Sequence, residues 1–125
     1  MTNALITRTL EASKQWKTFF NQGNAAGCTS MYEENAQMVA KPFGVYKGRQ
    51  QIEIFWQELI EEGFADVYYL DPKVEPVDEN STVLTSRWTM NNAQGVISRE
   101  LWVLQADGSM LLREDHFEAI DPDAN

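Results

Sequence analysis

The spacing of apolar residues divides the chain into two parts at Gly63. Before Gly63, apolar side chains recur three and four positions apart, which is the period of an amphipathic α-helix. After Gly63, apolar and polar residues mostly alternate, which predicts β-strands. The predicted helices span residues 4–22, 25–33 and 48–62, and the predicted strands span residues 36–40, 66–77, 82–92, 96–106 and 110–119.

Helices followed by a run of strands indicate a segregated α+β domain. Short turns at residues 91–95 and 106–109 join the last three strands, which therefore form an antiparallel meander. Pro72 and Pro76 cannot donate hydrogen bonds within a sheet, so they place their strand at an edge or a bulge. We predict one domain over residues 1–125, in which N-terminal helices pack on a curved, mainly antiparallel sheet.

Strict alternation along the strands predicts which side chains share a face of the sheet. It places His116 on one face of the last strand and Asp115 on the other. The turn at Asp107-Gly108 then pairs Glu100 with a position near 116, so Glu100 and His116 are expected to be cross-strand neighbours. A sheet that curls over helices tends to enclose an apolar cavity, and we expect this pair to face it.

Both faces of the predicted sheet carry apolar side chains, which is unusual for a sheet with one face in water. Helices are expected to cover one face. The other face would expose a large apolar patch in a monomer, formed by Val83, Leu101, Val103, Leu111 and Phe117. We therefore expect a two-fold homodimer in which a second copy of the chain covers that face.

The charge of the chain excludes several classes of partner. Nineteen acidic and ten basic side chains give a formal net charge of -9, which repels nucleic-acid phosphates and anionic lipid head groups. Residues 1–8 lack the basic segment and apolar run of a signal peptide, and no stretch approaches the ~20 apolar residues of a membrane span. We expect a cytoplasmic protein with no nucleic-acid and no membrane partner.

The single cysteine and the single histidine limit redox and metal chemistry. Cys28 has no second cysteine with which to form an intrachain disulfide, and one Cys with one His cannot make a zinc site within the chain. We expect no metal site. A buried, unreactive thiol is the favoured interpretation of Cys28, because free cysteine is among the most buried residue types.

A series of short motifs runs through almost the whole chain. The motifs are residues 16–20, Gly23-Asn24-Ala25-Ala26, Met31-Tyr32, Asn35-Ala36, Pro42-Phe43-Gly44, Lys47-Gly48-Arg49, Asp107-Gly108 and Asp115-His116-Phe117. In this order and at this spacing, they resemble the NTF2-like superfamily, which includes ketosteroid isomerase, SnoaL-type polyketide cyclases, scytalone dehydratase and limonene epoxide hydrolase. The resemblance implies a cone-shaped α+β fold. It leaves the function open, because this fold carries enzymes, ligand binders and interaction modules.

The resemblance also implies positions for the catalytic residues of two family members. The oxyanion tyrosine of ketosteroid isomerase corresponds by spacing to Trp16, which cannot ionise, and its general-base aspartate corresponds to Lys41. Only its second carboxylic acid is matched, by Glu100. Isomerase activity by that mechanism is therefore not expected. The Asp-Arg-Asp arrangement of the epoxide hydrolase is matched in residue type by Glu100, Arg99 and Asp115, but Arg99 alternates away from Glu100.

The predicted catalytic residues are therefore Glu100 and His116. A carboxylate beside an imidazole suits proton abstraction next to a carbonyl group, or dehydration. The structural alternatives are a satisfied strand histidine at 116 and a buried salt bridge from Glu100 to Arg87 or Arg113. The predicted ligand-binding residues are large side chains that would form the cavity walls: Trp16, Tyr32, Phe43, Trp56, Trp88, Met90 and Trp102.

The sequence is compatible with two functions. The first is a homodimeric protein that binds a small apolar or amphipathic ligand and acts on it as an isomerase, dehydratase or cyclase without a cofactor. The second is a non-catalytic module that binds another protein or dimerises through its exposed sheet face. An open cavity above about 300 Å³, reached by Glu100 or His116, would favour the first function, and a filled cone would favour the second.

Overall fold

The computed structural model describes residues 2–120, with side chains from Ala4 onward. Its elements are α1 (Thr2–Asn21), α2 (Ala25–Ser30), β1 (Tyr32–Lys41), β2 (Gly44–Lys47), α3 (Gly48–Glu61), β3 (Tyr68–Asp78), β4 (Ser81–Thr89), β5 (Gln94–Leu104) and β6 (Met110–Ala119). The strands form one curved sheet in the order β2-β1-β6-β5-β4-β3. The pair β1 and β6 is parallel, and the other neighbouring strands are antiparallel. The predicted α+β architecture is confirmed.

The helices begin and end close to the predicted positions because local signals fix them. Asn24 caps α2, since its side-chain oxygen accepts a hydrogen bond from the backbone N–H of Gly27 at 2.8 Å. Gly63 follows the end of α3 with a φ of 98°, a left-handed conformation that glycine adopts without strain. The second helix ends at Ser30 rather than at the predicted residue 33, because Tyr32 already belongs to β1.

Two strands differ from the prediction at the start of the sheet. The strand predicted over residues 36–40 is β1, which is twice as long and pairs with both β2 and β6. The prediction also missed β2, a strand of four residues that follows the turn at Pro42-Phe43. As predicted from its prolines, β3 lies at an edge of the sheet.

Two bulges change which side chains face the helices. Ile97 pairs with Phe117, but Arg99 pairs with His116, so β5 contains one extra residue at positions 98–99. On β6, Arg113 is the extra residue, because Leu112 pairs with Trp102 and Glu114 pairs with Leu101. Each bulge reverses the alternation beyond it. The assignment of Phe117 to the outer face was wrong, because Phe117 packs against the core on the inner face.

The core lies between the helices and the inner face of the sheet. Trp16 and Phe20 of α1 stack with ring centroids 5.5 Å apart, and the edge of each ring meets Trp56 of α3. Trp16 and Phe20 lie four residues apart on one face of α1, and Trp56 lies on the apolar face of α3, as the apolar period predicted. Among residues 2–120, no helix combines the length and the apolar character needed to cross a membrane.

Candidate functional site

A cavity of about 80 Å³ lies between the helices and the sheet. Its walls are mostly aromatic and include Trp16, Trp56, Trp88 and Phe117. Phe43 also contributes to the wall, and because 57% of its surface is exposed, it lies at the rim. The cavity is smaller than an open ligand pocket, which has a volume of about 300 Å³ or more. Its volume suits a few water molecules or one small ring.

Two carboxyl groups interrupt this apolar wall. Glu100 of β5 and Asp115 of β6 are paired residues on adjacent antiparallel strands, and both line the cavity. Their exposed fractions are only 3% and 4%. Side chains at directly opposed positions have Cβ atoms about 5 Å apart, so the two carboxyl groups share one site. Burying two acidic groups side by side is costly, because each loses its hydration and each ionised form repels the other.

Glu100 is held by a donor on each of its carboxyl oxygens. The indole N–H of Trp102 donates to Oε1 at 2.9 Å, and the hydroxyl of Tyr69 donates to Oε2 at 3.0 Å. Lys17 of α1 lies nearby, with its ammonium group 4.3 Å from the centre of the Tyr69 ring. Burial raises the pKa of Tyr69, so its hydroxyl remains a donor at neutral pH.

Asp115 is held on one oxygen only. The hydroxyl of Tyr32 donates to its Oδ2 at 2.6 Å, and the indole N–H of Trp56 donates to the Tyr32 oxygen at 3.2 Å. This chain of donors fixes the position of the carboxyl group. Within the part of the chain that the structure describes, no donor contacts the second oxygen, Oδ1. Asp115 therefore presents one hydrogen-bonded oxygen and one unoccupied oxygen.

The environment raises the pKa of both acids. Burial is the main cause for each, and the charge of Asp115 further raises the pKa of Glu100. The donors Trp102 and Tyr69 act in the opposite direction on Glu100, as does the nearby Lys17, and Tyr32 does so on Asp115. The two groups titrate as a pair. Near neutral pH, the pair favours a state that holds one proton and one negative charge.

The structure does not bring Glu100 and His116 together. His116 pairs with Arg99, and its Nε2 lies 3.4 Å from Oε1 of Glu114 on the outer face. The predicted cross-strand pairing of Glu100 with His116 was wrong, because the strands leave the turn with Leu104 opposite Met110 and the single extra residue at position 113 moves the register by only one position. Asp115 lies opposite Glu100 instead.

The predicted salt-bridge alternatives for Glu100 are also absent from the described structure. Arg87 pairs with Asp71, and Arg113 pairs with Glu33. Glu100 is hydrogen-bonded to Trp102 and Tyr69, so its partners are neutral donors rather than an arginine.

The predicted wall residues separate into two groups. Trp16, Phe43, Trp56, Trp88 and Met90 line the cavity. Tyr32 and Trp102 are at most 1% exposed and contact the carboxyl groups of Asp115 and Glu100.

Sequence reasoning missed Asp115 and Tyr69 as site residues. A signal for the position of Asp115 exists in the spacing of apolar residues on β6. Leu112 and Phe117 both face the core but lie five positions apart, and an odd spacing on one face requires a bulge between them. The contact between Tyr69 and Glu100 joins β3 to β5 across β4, and it depends on the curvature of the sheet.

Two indole groups of the cavity wall have no hydrogen-bond partner. Among the described residues, the N–H groups of Trp16 and Trp88 are buried and meet no acceptor. Most buried polar groups in folded proteins have a partner, so two unpaired donors among the cavity-lining residues, one on α1 and one on β4, require an explanation. The site therefore combines unpaired donors with a carboxyl pair in an otherwise apolar cavity.

The fold can be compared with solved structures, whereas no protein-family model and no curated protein sequence matches the chain. A ketosteroid isomerase-like protein from Erwinia carotovora atroseptica superimposes with a TM-score of 0.77 at 15% identity, over 90% of this chain and 93% of that one. A dehydratase of the NTF2-like family from Streptomyces avermitilis, so described provisionally, gives a TM-score of 0.80 at 11% identity, over 96% of this chain and 99% of the other.

A third structure agrees with these two. It is a protein from Novosphingobium aromaticivorans, provisionally described as a scytalone dehydratase, with a TM-score of 0.79 at 12% identity over 100% of this chain and 93% of that one. This chain has the NTF2-like fold. The predicted cone-shaped architecture is thereby confirmed. At these identities, the likeness concerns the NTF2-like fold, and the chemistry must be argued from the site.

Proposed function

We propose that this NTF2-like protein binds a small, largely apolar ligand in its aromatic cavity and transfers a proton on that ligand. Isomerisation and dehydration are the reactions that such a transfer serves. One observation carries the proposal: the carboxyl pair of Glu100 and Asp115 is buried in the wall of an apolar cavity. Apolar residues at these two positions would stabilise the fold at least as well, so a structural role does not account for the pair.

Each acid has a distinct part in the proposed reaction. Oδ1 of Asp115 takes the proton from a carbon next to a carbonyl group, and the electrons of the broken C–H bond form an enolate. Glu100, in its protonated form, donates a hydrogen bond to the oxygen on which negative charge develops. Asp115 then returns the proton to the original carbon or to another one. This sequence uses only the side chains of the protein and no cofactor.

The non-catalytic alternative is supported by the cavity volume alone. A volume of about 80 Å³ is nearer to a filled cone than to an open pocket. An interaction module, however, has no use for two buried acids and two unpaired indole donors. The polar groups of the wall therefore favour a ligand site, and the volume limits the size of the ligand.

Proton exchange on a small ketone tests the proposed function. Acetophenone carries one ring and methyl protons next to its carbonyl group. In D₂O, we expect the wild-type protein to replace these protons with deuterium faster than buffer alone, as followed by loss of the methyl signal in proton NMR. The outward-facing variant His116→Gln should retain the wild-type rate. A rate equal to buffer, or an equal rate for a variant that lacks both buried acids, contradicts the proposal.

We further propose that the protein is a homodimer joined through the outer face of the sheet. The support is an apolar cluster outside the core, in which Leu101 pairs with Val83 and Val103 pairs with Leu111. The expectation that a monomer exposes all of this patch was wrong, because Leu101 and Val103 are already buried in the single chain. A second copy covering this face would bury about 1,200–2,000 Å² in total. Light scattering at micromolar concentration should give the mass of a dimer, and Leu101→Lys should shift it toward a monomer. A monomer mass for the wild type contradicts the proposal.

A further inference from the structure

Lys17 of α1 lies beside the carboxyl pair. The residue is half-buried, and its ammonium group lies 4.3 Å from the centre of the Tyr69 ring. The hydroxyl of the same tyrosine donates to Oε2 of Glu100 at 3.0 Å, and both Tyr69 and Glu100 line the cavity. One aromatic ring and one hydrogen bond therefore connect the lysine to the proposed site.

The ammonium group of Lys17 has no carboxylate at ion-pair distance within the part of the chain that the structure describes. Burial lowers its pKa, because it removes part of the hydration of the charge, and the charge of Glu100 acts in the opposite direction. The ordinary pKa of lysine, about 10.4, is far enough above neutral for a half-buried group to stay charged. An aromatic face thus holds a positive charge near the carboxyl pair.

The titratable groups around Glu100 come from several elements. Asp115 of β6 lies directly opposite and raises the pKa of Glu100, whereas Lys17 lowers it. Lys14, one turn before Lys17 on α1, lowers the pKa of Lys17. Burial raises the pKa of three further groups and keeps them neutral at neutral pH: Tyr69 of β3, Tyr32 of β1 and Cys28 of α2. Lys17 and Asp115 therefore oppose each other in setting the proton affinity of Glu100.

A positive charge at this position helps the proposed proton transfer in two ways. It makes the Tyr69 hydroxyl and the protonated Glu100 more acidic, and a more acidic group is a stronger hydrogen-bond donor to a developing negative charge. It also attracts that negative charge directly, when the electrons of the broken C–H bond move to the ligand oxygen beside Glu100. Both effects are larger in a water-poor site than in bulk water.

We propose that Lys17 is a positioning residue of this site, whose charge on the face of Tyr69 holds negative charge at Glu100 and at the ligand oxygen next to it. The inference rests on the proposed function, in which Glu100 donates a hydrogen bond to that oxygen. It adds a group of α1 that acts through Tyr69 and Glu100. The structural alternative is that the contact with Tyr69 serves only to pack α1 against β3.

Removing the charge tests the proposed role. Lys17→Met keeps a long, unbranched side chain with a good helical preference. We expect it to raise the pKa of Glu100 by about 0.5–1, measured by ¹³C NMR titration of the carboxyl groups. Lys17→Arg keeps a positive charge that stacks on an aromatic face, so it should retain the wild-type pKa. Lys14→Met removes a charge from an exposed position of α1 and should raise the pKa of Glu100 by less than about 0.2.

The pH profile of acetophenone exchange gives a readout on the reaction itself. Exchange requires ionised Asp115 and protonated Glu100, so the rate falls at alkaline pH when Glu100 loses its proton. Without the charge of Lys17, Glu100 keeps its proton to a higher pH, and this fall should move up by about 0.5–1 pH unit. The maximal rate should decrease about three- to tenfold, because the charge on the ligand oxygen loses its stabilisation. Loss of packing alone would lower stability without moving the profile.

The reciprocal measurement leaves Lys17 in place. Glu100→Gln removes the charge of the acid, and because the interaction between two charges is mutual, it should lower the pKa of Lys17 by a similar amount. The ¹³C signal of the Cε atom of Lys17, assigned by comparison with Lys17→Arg, reports that pKa. This measurement decides the matter even if Lys17→Met does not fold.

Several results would overturn the inference. These are an unchanged pKa of Glu100 or an unmoved pH profile in Lys17→Met, an equal change in Lys14→Met, or an unchanged pKa of Lys17 in Glu100→Gln. The result is also distinct from that of the proposed proton transfer. If the wild-type protein does not exchange acetophenone protons but both pKa changes occur, the charge of Lys17 acts on Glu100 and the proton transfer fails.

Discussion

Replacing Asp115 with asparagine is expected to slow proton exchange on acetophenone by about 10²- to 10⁴-fold. Asparagine has nearly the same shape and can still accept the hydrogen bond that Tyr32 donates to Oδ2. It cannot take up a proton, so it removes the base while keeping the packing. The measurement is the loss of the methyl signal in D₂O, at equal concentrations of wild-type and variant protein.

A neighbouring acid provides the matched control for this substitution. Glu114 lies next to Asp115 in sequence but points to the outer face, where it contacts Arg99 and His116. Glu114→Gln removes a carboxyl group from the same strand and should leave the exchange rate unchanged. If Asp115→Asn retains the wild-type rate, or if Glu114→Gln loses as much, then Asp115 is not the base.

Replacing Trp102 with alanine is expected to lower the free energy of unfolding by about 3–5 kcal/mol. The side chain is 1% exposed and does not line the cavity, so its removal leaves a void in the core. The substitution also removes the donor that contacts Oε1 of Glu100 at 2.9 Å. Urea unfolding followed by far-ultraviolet circular dichroism measures the loss, with the midpoint and the slope compared separately.

Phe43 is the control for an aromatic side chain at the cavity rim. It is 57% exposed, so Phe43→Ala should change the free energy of unfolding by less than about 1 kcal/mol. If Trp102→Ala lowers the free energy of unfolding as little as Phe43→Ala does, Trp102 does not stabilise the core as expected. Trp102→Phe separates the two contributions of the side chain, because it restores most of the volume without the N–H donor.

The helical half of the fold could be predicted in detail from the sequence. Asn24 and Gly63 mark helix ends through local chemistry, and the period of three and four places Trp16 and Trp56 on inward stripes. These signals act within a few residues and need no knowledge of the rest of the chain. The edge position of β3 followed from its prolines for the same reason.

The candidate site was only partly predictable because it depends on the register between strands. Glu100 was identified, but its partner was taken to be His116 rather than Asp115. Strict alternation assumes a strand without a bulge, so it assigned the wrong faces to the residues beyond each bulge of β5 and β6. On β5, Ile97 and Trp102 both belong to the core but lie five positions apart. This odd spacing indicates a bulge between them, as the spacing of Leu112 and Phe117 does on β6.

The central claim is that Glu100 and Asp115 form a buried pair that shares one charge, and a titration of side-chain carboxyl groups by ¹³C NMR tests it most directly. Two of the labelled carboxyl groups should have a pKa above the ordinary values of about 3.9 for Asp and about 4.3 for Glu. Asp115→Asn should remove one of them and lower the pKa of Glu100, because the charge of Asp115 helps to raise it. A pKa at or below the ordinary value for both Glu100 and Asp115 would contradict the account.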